Sequence, residues 1–108
     1  MNKAKRQLII ALLIKLGYEV KDLFYSNRLN HYYHITKDDV KFSVLVNKTA
    51  VLFSFNEPSG QQVCNYGLLL ANGGNIAHNK DHEHYKTLVD LAWEIKDLLK
   101  IDTPTIIL

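Results

Sequence analysis

The sequence predicts a single α+β domain over 1–108: an N-terminal helix, an antiparallel meander of four strands (five in the alternative reading of 61–71), and a C-terminal helix packed on one face of the sheet. Three observations lead there. Apolar residues recur at helical spacing near the start, they recur at period two through Val40, Phe42, Val44 and Val46 and again through Val51, Phe53 and Phe55, and they return to helical spacing in a charge-capped segment near the end. With 108 residues, 47% of them hydrophobic, the chain is sized for one core, and too apolar for intrinsic disorder.

The first element is a helix over about 3–16. Leu8, Ile9, Leu12, Leu13 and Leu16 fall on one face, Ile10 and Ile14 widen it, and Gly17 stands where a helix takes a left-handed cap. So little polar surface remains that a second covering body is expected, which makes Ile10 and Ile14 candidate partner contacts. The basic start and apolar run imitate an export signal. Lys15 cuts the run at its seventh residue and no small-x-small cleavage site follows, so a retained helix and a cytoplasmic protein are the expectation.

Strands are expected at about 18–25, 29–36, 40–47 and 50–56, joined by turns at Ser26-Asn27-Arg28, Thr36-Lys37-Asp38-Asp39 and Asn47-Lys48-Thr49. Connections this short exclude parallel crossovers, and with them a Rossmann-type crevice. Glu57-Pro58-Ser59-Gly60 ends the meander. For 61–71 the spacing of Val63, Tyr66, Gly67 and Leu70 favours a helix, while Leu68, Leu69 and Leu70 in a row suit a fifth, buried strand. The last helix, about 81–100, carries Tyr85, Leu88, Ala92, Ile95 and Leu99 in one stripe. Asp81 and Glu83 are placed in its first turn and Lys96 and Lys100 in its last, matching the helix dipole. Beyond it, Ile106, Ile107 and Leu108 form an apolar segment expected to meet a partner or an edge.

The single cysteine, Cys64, excludes a disulfide framework and a cysteine-based zinc knuckle, and reads as a small core residue. Asn72-Gly73-Gly74-Asn75 lacks the Lys and Ser/Thr of a phosphate loop, and no Gly-x-Ser-x-Gly elbow occurs. The segment His78-Asn79-Lys80-Asp81-His82-Glu83-His84 holds metal-ligand residue types, so His78, His82 and His84 are the alternative metal site. On a helix begun at Asp81, however, His82 and His84 would point apart. In His31-Tyr32-Tyr33-His34, period two sends Tyr32 and His34 to one face and His31 and Tyr33 to the other. Tyr25, Arg28, Tyr32, Tyr33, His34 and Lys41 are therefore the candidate set for stacking and pairing with single-stranded nucleic acid.

Charge bears on that reading. Residues 1–28 hold six basic against two acidic groups, residues 61–108 four against six, and the net charge is +2. A duplex reader carries a denser basic stripe, and the chain's two arginines are few for base or phosphate forks. The element order resembles that of the double-stranded-RNA-binding domain. Where that family has a lysine cluster opening its last helix, this chain has Lys80-Asp81-His82-Glu83-His84, so the likeness stops at topology. Asp39-Val40-Lys41 resembles the acidic-x-Lys motif of restriction-endonuclease-like nucleases, whose metal site takes another acid from the preceding strand; Leu29 to Thr36 contains none. The expectation is a non-enzymatic binding protein without a cofactor, acting through a protein partner or as a homodimer. Lysine over arginine by eleven to two suggests an accessory or inhibitor protein of a bacterial or phage system.

Overall fold

A computed structural model describes residues 2–22, 27, 29–70 and 74–100. It contains helix α1 (Lys3–Lys15), strands β1 (Glu19–Asp22), β2 (Asn30–Lys37), β3 (Val40–Asn47), β4 (Ala50–Asn56), β5 (Gln62–Leu69) and β6 (Asn75–His78), and helix α2 (Tyr85–Leu99). The six strands form one antiparallel sheet in the order of the sequence. Both helices pack on the same side, α2 over β4 and β5, and α1 against α2 and β1. No helix among the described residues is long and apolar enough to cross a membrane.

Local chemistry sets the boundaries of these elements. The Asn2 side chain accepts from the Lys5 N–H at 2.9 Å and caps α1. At the other end Gly17, at φ 96°, donates to the Ile14 carbonyl while Tyr18 donates to that of Leu13, the paired bonds of a Schellman motif. Asn47 Oδ1 collects the N–H groups of Thr49 and Ala50 and the Thr49 hydroxyl, which locks the β3–β4 turn. Asp38, at φ 53°, makes the tight turn between β2 and β3.

The structure corrects four expectations. Within 61–71, Gln62–Leu69 is strand and not helix: Cys64, Tyr66 and Leu68 are buried at period two, and they oppose Phe55, Phe53 and Val51 of β4. Pairing with an already formed neighbour outweighed a helical spacing that rested on four residues. A sixth strand also closes the sheet, so the strand count is six. Helix α2 begins at Tyr85, which leaves Asp81 and Glu83 in a preceding turn and no acidic group in its first turn. In α1 the buried residues are Ile9 and Leu13, with Ile10, Leu12 and Leu16 packed beside them, whereas Leu8 stays 49% exposed.

The core lies between the helices and one face of the sheet. Ile35, Val44, Val51, Phe53, Leu88 and Ile95 are all sealed from water there, and Phe42 meets Tyr18 edge-on with ring centroids 5.5 Å apart. Cys64 is fully buried in the same layer. Burial pushes the Cys64 thiol and the Tyr18 phenol above their usual ionisation ranges. Each group therefore releases its proton sooner in the unfolded chain. Their contribution to stability is complete below the unfolded pKa values and is lost as pH rises through the folded ones. Stability is expected to be flat around neutrality and to fall above roughly pH 9. Urea titrations at neutral and alkaline pH check this, and Cys64→Ala should remove part of the alkaline fall. A fall unchanged in that variant would assign the effect elsewhere.

Candidate binding face

Period two gives the sheet a second face, and among the described residues no helix or loop packs on it. Two rows of side chains cross it, in register on neighbouring strands. One runs Lys21, His34, Ser43, Ser54, Asn65 and His78 from β1 to β6, polar throughout. The next runs Tyr32, Leu45, Leu52, Gly67 and Ile76, and is apolar. Tyr32, Leu45 and Leu52 are half-buried, and Ile76 is 48% exposed. This face departs from the plainly polar outer side of a one-sided sheet.

Gly67 shapes the apolar row. A Cβ at that position would stand 2.9 Å from Leu52 Cδ1, so the Leu52 side chain lies across the strand where a side chain is missing. The polar row is held by hydrogen bonds within the face. Ser43 donates its hydroxyl to the Ser54 carbonyl at 3.4 Å, Gln62 Nε2 donates to Ser54 Oγ at 3.2 Å, and Asn65 Nδ2 donates to Gln62 Oε1 at 3.4 Å. Asn65 Oδ1 is shielded from solvent and has no partner among the described residues. A buried acceptor of this kind costs free energy until a donor reaches it.

At the β2–β3–β4 end the face deepens into a groove of about 490 Å³, lined by His34, Thr36, Lys41, Ser43, Asn56 and Glu57. The groove lies where β3 and β4 no longer pair beyond Ser43 and Ser54, and Glu57 and Pro58 of the following turn stand at its rim. Asp39 borders it as well. Lys41 with Asp39 and Glu57 gives a mixed-charge rim that favours neither an anion nor a cation. Among the described residues no group of three His, Cys, Asp or Glu side chains could hold a metal ion.

The three histidines of the alternative metal site are divided by the sheet. His78 stands on the open face, paired across from Asn65, while His82 and His84 pack against Phe55 on the helix side. His82 and His84 do come together, with ring centroids 5.5 Å apart. The expectation that they point apart fails because 80–84 is a turn, in which the His84 N–H donates to His82 Nδ1 at 3.1 Å. With Phe55 4.5 Å from His84, they make an aromatic cluster that seals the start of α2.

The nucleic-acid candidates also separate. Tyr32, His34 and Lys41 share the open face with Lys21, but Tyr33 is buried beneath the helices and is a core residue. Tyr25 and Arg28 lie outside the described residues, as do Ile106, Ile107 and Leu108 of the partner-contact set. Of the remaining two, Ile14 is 56% exposed, whereas Ile10 is drawn against the core. The open face itself escaped the sequence reading because two of its six strands are β5 and β6. Its available signal was the alternation of Gln62, Asn65 and Gly67 with the buried residues of β5.

Comparison with protein-family models, with characterised proteins and with solved structures returned no match. The functional reading therefore rests on the geometry of this face.

Proposed function

We propose that this is a non-enzymatic binding protein that engages a protein partner through the open face of its sheet. The apolar row of Tyr32, Leu45, Leu52 and Ile76 carries the reading. It is a continuous apolar strip rimmed by hydrogen-bonding side chains, the composition of a protein-binding patch. The reading is of a cytoplasmic protein, with its one thiol reduced and buried, in an accessory or inhibitory role.

The test is capture and identification of the partner from the source lysate, followed by binding measurements on variants. Leu52→Lys places a charge in the middle of the strip without touching the core, and should weaken binding by a hundredfold or more on the scale of interface hot spots, about 3 kcal/mol. Leu8→Lys on the outer side of α1 should leave it unchanged. The reverse pattern would move the interface to the helix and end this reading.

A second reading is favoured by one observation, the meeting of Tyr32, His34, Lys41 and Lys21 on a single face. A ring beside cations is what a single-stranded nucleic acid uses for stacking and phosphate pairing. Titration with labelled single strands at two salt concentrations discriminates. Tight binding that falls steeply with salt supports nucleic acid, and no binding at low salt removes it.

A further inference from the structure

The two edges of the sheet differ in chemistry. At β1 the edge carries Glu19, Lys21 and Asp22, charges of both signs that discourage a further strand. At β6 the edge reads Asn75-Ile76-Ala77-His78, with no Asp, Glu, Lys, Arg or proline and with Ile76 48% exposed. Among the described residues β6 pairs with β5 and with nothing on its outer side.

The ladder defines which backbone groups that edge presents. The Leu69 N–H donates to the Gly74 carbonyl at 2.9 Å, and hydrogen-bonded pairs alternate along an antiparallel ladder. Ile76, opposite Gly67, therefore turns its N–H and C=O inward to β5, and Asn75 and Ala77 turn theirs outward. The edge offers two donors and two acceptors, arranged symmetrically about Ile76.

We propose that β6 pairs antiparallel with β6 of a second copy of this chain, on a two-fold axis through Ile76. In that register Asn75 of each copy faces Ala77 of the other, and the four outward groups form four hydrogen bonds. The two Ile76 residues become a non-hydrogen-bonded pair, the type whose Cα atoms approach to about 4.5 Å. The occupant is a second copy because the edge is its own complement: a two-fold axis satisfies every outward group with no residue of a different sequence. The same axis also joins the apolar row of each copy end to end, Ile76 against Ile76, and buries that exposed side chain on the open face. The result is one twelve-stranded sheet whose two binding faces are contiguous. The pairing does not depend on what the open face captures.

Sedimentation velocity of the full chain, from micromolar to about millimolar, should show the weight-average mass rising toward twice that of the monomer, as for a small, weak interface. Ala77→Pro removes an outward N–H and leaves the ladder to β5 intact, and Ile76→Lys sets two charges on the axis. Each should raise the dissociation constant at least about tenfold, with circular dichroism confirming the fold. Ile76→Cys should form a disulfide-linked dimer under mild oxidation, since Cys64 is buried, whereas Leu8→Cys should not. A wild-type chain monomeric throughout that range overturns the proposal. So does a dimer that survives both edge substitutions, or an Ile76→Cys chain that stays uncrosslinked.

Discussion

Phe53→Ala is expected to lower the free energy of unfolding by roughly 3–5 kcal/mol, a large share of the roughly 5–15 kcal/mol that holds a domain of this size together. Phe53 is the largest side chain sealed completely from water. It stands on β4, with Val44 of β3 on one side and Tyr66 of β5 on the other. Its ring centroid lies 6.2 Å from that of Phe42. Removing it empties the layer between α2 and the middle of the sheet, where neighbours on two strands cannot collapse without breaking the ladder. Urea unfolding followed by circular dichroism measures the loss. A cost below about 1.5 kcal/mol, the range of tolerated volume-conserving swaps, would mean that this layer repacks freely and that the core is misassigned.

The second large effect is a contrast between adjacent tyrosines. Tyr33→Ala is expected to cost about 3 kcal/mol, the low end for deleting a buried aromatic ring, because Tyr33 is 5% exposed beneath the helices. Tyr32→Ala, on the open face, should cost under about 1 kcal/mol and should instead reduce binding to whatever occupies that face. Stability and binding measured on both variants decide the matter. Equal losses of stability would show that the open face is a second core layer, and the proposed function would fall with it.

That contrast marks how far the sequence could be read. Alternation put Tyr32 and Tyr33 on opposite faces, since successive strand side chains must diverge, but nothing local states which face two helices will cover. The cover is decided by α1 and α2, which meet the face of Tyr33, Val44 and Phe53. Likewise Gly17 and Asn47 act within a few residues of themselves, and the α1 stop and the β3–β4 turn were legible from composition and spacing. By contrast, β5 has a polar partner face beside a run of leucines, and its strand identity depends on the ladder offered by β4. Strand β6 is four residues long, too short for periodicity to report.

The candidate site divides in the same way. His34 and Lys41 were legible as strand residues near each other, because β2 and β3 are joined by a tight turn. Leu52, Gly67 and Ile76 were not, since they come from strands that meet only in the finished sheet. The separation of His78 from His82 and His84 required knowing that Asn79 turns the chain around the sheet edge, which its φ of 56° shows and its sequence does not.

By itself, then, the sequence determined the α+β class, the antiparallel sense of the strands and the positions of the β2–β3 and β3–β4 turns, because each follows from periodicity and short-range hydrogen bonding. The strand count, the burial of Tyr33 in place of Tyr32, and the assembly of an open apolar row were decided by tertiary structure alone. Those outcomes depend on which surfaces meet across the sheet, and burial of apolar area is a property of the whole packed body rather than of any one segment.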